Sequence, residues 1–179
     1  ALRVTEAIGM RLVSLNGLPA VDAFEEHART TGQPFDRSVP LPFFLHNILG
    51  IDTGSSHRLR VPLAVNPDGS VNCAAEIPSG ARVCIMKATA DSAVIAARKA
   101  TESAVQALRG GKPGAALFFD CVATRLRMGD VFGFELESVA KALGGAGLVG
   151  CNTYGQIARA EGQFGGFHNC TAVVMVLPA

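Results

Sequence analysis

The chain has 179 residues, of which 49% are hydrophobic, and a formal net charge of +1 at pH 7. This length suits one domain spanning residues 1–179, and the apolar share supports a packed core, which excludes an intrinsically disordered chain. The small net charge gives no reason to expect nucleic acid or an anionic membrane as a partner, and the short, interrupted apolar runs exclude a transmembrane helix.

The first ninety residues predict short strands around one helix. Strands are predicted at residues 2–7, 10–15, 57–65, 70–75 and 81–87, from alternating apolar residues bounded by turn signals. Apolar residues at helical spacing predict a helix at 20–30. Residues 32–56 are the least regular, with at most one helical turn around Phe43-Phe44-Leu45. Pro62 places its strand at a sheet edge or a bulge, because proline cannot donate to a ladder.

The second half alternates strands and helices. Helices are predicted at residues 91–109 and 131–143, and strands at 117–119, 148–150 and 171–177, the last covered on both faces. The predicted fold class is α/β (α+β mixed): a mixed β-sheet packed by helices. It has an antiparallel meander before residue 90 and a strand–helix–strand unit after residue 115.

The five cysteines have wide, irregular spacings that indicate reduced thiols rather than a disulfide framework. They are Cys73, Cys84, Cys121, Cys151 and Cys170. We therefore expect a cytoplasmic protein. Neither Cys-x-x-Cys nor His-x-x-x-His spacing occurs, so we expect no metal site, and we expect no cofactor. The chain begins at Ala1 without Met, which indicates a fragment of a longer protein.

Two apolar strands lead directly into small and polar residues, at 118–125 and at 150–159. Ligands bind at the carboxyl ends of strands in open α/β sheets, because backbone groups there lack ladder partners. This pattern predicts that Cys121, Asn152, Tyr154 and Gln156 lie close together. The alternative is that both segments are ordinary strand–loop junctions.

Cys121 is a candidate nucleophile, which would need a cation or a base to lower its pKa. Arg125 could supply the charge, and His168 is a distant candidate partner. No nucleophile elbow surrounds the cysteine, so packing or ligand lining is favoured over chemistry. Glu135 and Glu137 have the helical positions of surface charges, and no carboxylate pair suited to acid–base catalysis is predicted.

The glycine-rich residues 162–170 lead into the last strand without forming the Gly-x-Gly-x-x-Gly dinucleotide motif. His168 in this segment either contacts a ligand or anchors the loop, and anchoring is slightly favoured.

Residues 115–125, 148–159 and 161–171 together resemble the C-terminal half of the FIST (F-box and intracellular signal transduction) sensory domain, and residues 11–20 resemble the start of that half. The resemblance implies a sensory module that follows a FIST N-terminal half, binds small ligands such as amino acids and has no established catalytic role. Cys121, Tyr154, Gly155 and Asn169 match recurring family positions. Thr124 stands where the family favours Arg, and Gln156 stands where it favours Glu, which removes a natural partner for a ligand amine.

We therefore expect a ligand-binding sensory domain of an intracellular signal-transduction protein, with no chemistry of its own. The ligand is expected to be a small polar metabolite, amino-acid-like, and the FIST N-terminal half is an expected partner. The expected ligand-binding residues are Cys121, Arg125, Asn152, Tyr154, Gln156, His168 and Asn169. Two alternatives remain open: a cysteine-dependent enzyme using Cys121, and a protein-docking domain that exposes Phe43-Phe44-Leu45.

Overall fold

The computed structural model of the chain describes residues 1–54, 56–159 and 166–179. It divides into two compact units, Ala1–Ala88 and Thr89–Ala179. Antiparallel strands dominate the first unit, and the second combines helices with a mixed sheet. The predicted fold class is confirmed. None of the helices in the described part of the chain is long and apolar enough to cross a membrane.

The first unit is built on an antiparallel sheet in the order β5-β4-β8-β1-β2-β7-β6, with β3 paired to β2. Its strands are β1 (Leu2–Ile8), β2 (Arg11–Leu15), β3 (Leu18–Pro19), β4 (Asn47–Asp52), β5 (His57–Arg60), β6 (Pro62–Val65), β7 (Val71–Cys73) and β8 (Arg82–Lys87). Its helices are α1 (Ala20–Thr31) and α2 (Leu41–Phe44). The strands β5 and β6 lie at opposite ends of the sheet. The edge position predicted from Pro62 is therefore confirmed.

Helix α1 packs an apolar stripe into the core of this unit, where Val21, Phe24 and Ala28 are buried. The helix ends at Gly32, whose φ of 66° is in the left-handed region that glycine adopts most easily. The Phe24 ring contacts the Phe44 ring edge-on, with centroids 5.0 Å apart. Phe43 and Phe44 are buried, so they do not form the exposed surface that the protein-docking alternative would require of them.

Strand β4 contradicts the expectation that residues 32–56 are irregular. It lies between β5 and β8, and its first five residues are buried. A strand covered on both faces does not alternate between apolar and polar residues, so its sequence lacks the period-two pattern of a half-exposed strand.

The second unit is organised around the central strand β9 of a sheet in the order β10-β9-β13. Its strands are β9 (Pro113–Cys121), β10 (Gly147–Thr153), β11 (Gln156–Ala158), β12 (Gly166–His168) and β13 (Val173–Pro178). Its helices are α3 (Ala90–Gln106), α4 (Val122–Met128) and α5 (Gly133–Leu143), with a 3-10 turn over Gly129–Phe132. Strands β9 and β10 are parallel, and α4 and α5 lie between them in the sequence. The predicted strand–helix–strand unit is therefore confirmed.

Helix α3 packs against α5 and β13. Its N-terminus carries a capping box, in which the Thr89 hydroxyl accepts from the Ser92 backbone N–H and the Ser92 side chain binds the Thr89 N–H. Strand β13 runs antiparallel to β9 at a sheet edge. Met175 and Leu177 are 47% and 44% exposed, so the prediction that this strand is covered on both faces is wrong.

Candidate functional site

The candidate site lies at the carboxyl ends of the parallel strands β9 and β10, which we call the carboxyl edge of the sheet. Their register pairs Asp120 with Asn152 and Cys121 with Thr153. The Asn152 amide Nδ2 is 3.5 Å from Asp120 Oδ2. The hairpin of β11 and β12 follows β10 in the chain, and β11 packs against β9. Residues separated by about thirty positions in the sequence therefore meet at one edge of the sheet.

A cavity of about 240 Å³ lies along β10, between the strands and the start of α5, and reaches this edge at Asn152. It is lined by Phe118, Phe132, Leu136, Leu148, Val149, Gly150, Cys151 and Asn152. Arg125 lies next to this lining, because its guanidinium stands over the Phe132 ring, 5.2 Å from the centroid. The walls are mostly apolar and include the expected ligand-binding residue Asn152, whereas Arg125 stands outside the lining.

Cys121 and Tyr154 differ sharply in exposure. The Cys121 side chain is 1% exposed and ends β9 immediately before α4. Tyr154 lies in the turn between β10 and β11 and is 86% exposed. The two residues share the same edge of the sheet, but Tyr154 projects into solvent while Cys121 faces the interior.

Gln156 is buried and orders the turn that carries Tyr154. Its Nε2 donates to Thr153 Oγ1 at 2.8 Å, and its Oε1 has no hydrogen-bond partner among the described residues. Gly155 in the same turn lies under Phe167, since a Cβ there would meet the ring at 2.0 Å. Glycine therefore permits the close approach of this turn to β12.

His168 is the last residue of β12, where it is the register partner of Gln156, and Asn169 follows it in the chain. His168 Nε2 is 3.2 Å from the Ala158 carbonyl oxygen, a contact that anchors the hairpin. Asn169 is fully buried, and its Nδ2 donates to the His168 carbonyl at 3.4 Å. The Oδ1 atom of Asn169 has no partner within the described ranges. The preceding glycine-rich residues 162–165 lie outside the described residues.

The two arginines of α4 have different surroundings. Arg125 is exposed and its Nη1 donates to the Gly129 carbonyl at 2.6 Å, which caps the end of the helix. Arg127 Nη1 lies 3.9 Å from Cys170 Sγ. The cation near the Cys170 thiol is therefore Arg127, whereas the sequence suggested Arg125 as the cation for Cys121.

Behind the edge lies a polar cluster of buried and half-buried side chains, which we define as Asp120, Cys121, Arg127, Glu135 and Cys170. Burial raises the pKa of Asp120 to about 7, and hydrogen bonds and the Arg127 charge only partly offset this. Burial also raises the pKa of Glu135 to about 7, with a further contribution from the negative charge of Asp120. Within the described part of the chain, no three His, Cys, Asp or Glu side chains are grouped so that they could hold a metal ion.

The thiols of the polar cluster have opposite acidities. A hydrogen bond from the Cys170 side chain lowers the pKa of Cys121 to about 6, against the opposing effect of burial. The backbone N–H groups of Cys170, Ala123 and Thr124 lower it further. The same interaction and burial raise the pKa of Cys170 well above its ordinary value. Near neutral pH, Cys121 therefore favours the thiolate and Cys170 the thiol.

Glu135 corrects a prediction, since it is 1% exposed instead of being a surface charge. It shares the buried face of α5 with Val139 and Leu143 at four-residue spacing. Leu136, the next residue along the helix, is 38% exposed. Asp120 and Glu135 also lie close enough for their charges to interact, and this pair of carboxyls was not predicted from the sequence. The i, i+4, i+8 spacing of Glu135, Val139 and Leu143 was the sequence pattern that could have indicated which face of the helix is buried.

A family model for the FIST C domain matches residues 20–159. This match covers most of the chain and includes residues of both units. The chain belongs to the FIST C domain family. The matched part of this FIST C domain includes Cys121, Arg125, Asn152, Tyr154 and Gln156, while His168 and Asn169 follow it. Membership is consistent with a sensory domain of signal transduction. No curated protein and no solved structure matches the chain significantly.

Proposed function

We propose that this FIST C domain binds a small polar metabolite as a sensory domain of an intracellular signal-transduction protein, with no chemistry of its own. The cavity at the carboxyl edge of β9 and β10 carries the proposal. Open α/β sheets bind ligands at this edge, and binding sites combine apolar walls with a few polar groups. The apolar lining with Asn152 and Arg125 beside it has this character.

The size of the cavity limits any ligand to a small one. Its volume of about 240 Å³ is below the roughly 300–1,000 Å³ of typical ligand pockets. The Arg125 guanidinium retains donors beyond the one used at Gly129, so it can bind a ligand carboxylate. Asn152 offers both a donor and an acceptor. These groups suit an amino-acid-like ligand or a small carboxylic acid.

The buried amide oxygens of Gln156 and Asn169 support the assignment of a ligand with donor groups. Both oxygens lack partners among the described residues, and a buried acceptor without a hydrogen bond costs free energy. Neither residue lines the cavity, so a ligand N–H group would remove that cost only by extending from the lining to the hairpin of β11 and β12. Because its amide is neutral, Gln156 would accept this N–H group in a hydrogen bond and not in an ion pair.

Binding is favoured over a cysteine-dependent enzyme by the burial of Cys121. A nucleophilic thiol must reach an acyl carbon, and a side chain that is 1% exposed leaves little access for such a substrate. Docking through Phe43-Phe44-Leu45 lacks support, because Phe43 and Phe44 pack in the core. We propose the cytoplasm as the site of action, since its reducing conditions suit unpaired cysteines.

A thermal-shift screen of amino acids and small carboxylic acids tests the proposal. A ligand at one hundred times its Kd stabilises the folded state by about 2.7 kcal/mol. Arg125→Ala and Asn152→Ala are expected to abolish the shift, and Tyr154→Ala tests whether the exposed ring also contributes. Arg98→Ala is the matched control, because it removes an exposed arginine of α3 that also makes one local contact.

The binding site is wrong if the ligand-induced shift survives both Arg125→Ala and Asn152→Ala. The proposed ligand class is wrong if none of these compounds raises the melting temperature of the unsubstituted chain. Loss of the shift in Arg98→Ala as well would show that the assay responds to general destabilisation.

A further inference from the structure

Two cysteines that are distant in sequence meet at the end of β9. The antiparallel register of β9 and β13 pairs Phe119 with Val173. Cys121 lies two residues after Phe119, and Cys170 lies three residues before Val173, so the strand pairing itself brings the two cysteines together. Their side chains share a hydrogen bond. The adjacency therefore depends on the sheet and involves a thiol from each of two chain segments.

The surroundings of this pair differentiate the two sulfur atoms. Cys121 Sγ receives backbone N–H groups at the start of α4, which stabilise a thiolate. Arg127 Nη1 lies 3.9 Å from Cys170 Sγ and adds positive charge beside the pair. The carboxyls of Asp120 and Glu135 also belong to the polar cluster, and burial favours their neutral forms. The Cys121 sulfur thus favours the nucleophilic thiolate, and the Cys170 sulfur remains protonated beside it.

We propose that Cys121 and Cys170 form a redox pair that a small hydroperoxide, such as hydrogen peroxide, oxidises to an intramolecular disulfide. This reversible modification site goes beyond the proposed ligand binding and does not depend on it. Disulfides of cytosolic proteins are characteristically transient and redox-sensing. The pair has the arrangement of an attacking thiolate with an adjacent resolving thiol.

The reaction proceeds in two balanced steps. The Cys121 thiolate attacks one peroxide oxygen, so that an S–O bond forms and the O–O bond breaks. The hydroxide that leaves takes a proton from solvent and becomes water, and Cys121 is now a sulfenic acid. The Cys170 sulfur then attacks the Cys121 sulfur, forming the S–S bond and breaking the S–O bond, and the Cys170 proton leaves with the hydroxide as water. The two thiols are oxidised and one peroxide is reduced to two waters.

The burial of Cys121 selects the oxidant. A side chain that is 1% exposed is inaccessible to a bulky reagent such as glutathione disulfide, whereas hydrogen peroxide is little larger than water. Cys170 is partly exposed, so the pair lies near the surface of its unit. Cys151 provides an internal reference, because it is an exposed cysteine on β10 outside the polar cluster.

The test treats the full chain with hydrogen peroxide near neutral pH and follows each cysteine by intact mass and non-reducing peptide mapping. The unsubstituted chain and Cys151→Ser are expected to lose two hydrogen atoms and to yield a peptide linking Cys121 to Cys170, which dithiothreitol reverses. In Cys170→Ser the reaction is expected to stop at a Cys121 sulfenic acid, which dimedone traps once the peroxide has been removed and the chain unfolded. Cys121→Ser is expected to form no linked peptide.

A rate comparison keeps the proposal testable even if a variant folds poorly. In the unsubstituted chain, Cys121 is expected to react roughly tenfold faster than Cys151 near neutral pH, because the lowered pKa of Cys121 favours its thiolate. Its rate is expected to level off above about pH 6. The proposal is overturned if Cys151 reacts first, or if a Cys121 sulfenic acid persists without the link to Cys170. A link formed as fast by glutathione disulfide would overturn the hydroperoxide assignment.

Discussion

Replacing Glu135 with Gln is expected to stabilise the chain above neutral pH and to change its stability little at pH 4. The Glu135 side chain is 1% exposed, and burial beside Asp120 raises the pKa of its carboxyl from 4.5 to about 7. At pH 4 the carboxyl is mostly protonated in both the folded and the unfolded chain. As the pH rises, the unfolded chain ionises at Glu135 first, which favours unfolding.

The size of the effect follows from the two pKa values. Each unit of difference between the folded and unfolded states corresponds to 1.36 kcal/mol. A rise from 4.5 to about 7 therefore costs the native protein about 3 kcal/mol once the pH exceeds the folded value. Glutamine has a similar shape and no charge, so the variant avoids this cost. The advantage of Glu135→Gln should grow between pH 4.5 and 7 and then level off.

Urea unfolding at intervals from pH 4 to pH 8 measures this advantage as a difference in the free energy of unfolding. Glu137→Gln is the matched control, because Glu137 is an exposed carboxyl on the same helix. Taking the difference between each variant and the unsubstituted chain cancels the titration of unrelated groups. A difference that stays flat with pH, or that equals the one for Glu137→Gln, would refute the raised pKa and the buried carboxyl pair.

Two further substitutions test the packing. Gly150→Ala on β10 is expected to cost about 3 kcal/mol, because its Cβ would lie 1.9 Å from the Phe118 carbonyl oxygen, whereas Gly147→Ala on the same strand meets open space and should be nearly neutral in thermal unfolding. Phe44→Ala is expected to cost about 3–5 kcal/mol in urea unfolding, against less than about 1 kcal/mol for Leu63→Ala, which is 43% exposed. Equal losses within either pair would contradict the packing described.

Local chemistry made much of the fold predictable. Turn residues such as Asn66-Pro67-Asp68-Gly69 mark the boundary between two strands, here β6 and β7. The buried stripe of α1 has simple helical spacing. Strand β4 and helix α4 were not predicted. The first lacks alternation because both of its faces are covered, and the second is a short helix without a strong apolar stripe. Their conformations depend on neighbours distant in sequence.

The meeting of the two strand ends was predictable from the sequence, but the side chains packed behind them were not. The pattern of apolar strands followed by polar residues correctly placed Cys121 and Asn152 on adjacent strand ends. It gave no means of pairing Cys121 with Cys170, which requires the register of β9 and β13. Charged residues in helices are usually solvated, so Glu135 received the ordinary interpretation of a surface charge. Its burial becomes apparent only when the buried face of the helix is known.

The position of β9 has a consequence for the order in which the second unit folds. Its partner β10 follows it only after α4 and α5, and its other partner β13 follows later still. Such pairings close long loops and form slowly, unlike the tight hairpin of β1 and β2 in the first unit. On a chain emerging from the ribosome, Asp120 and Cys121 remain without the cover of Cys170 until β13 has been synthesised. The polar cluster is therefore among the last features of this unit to be completed.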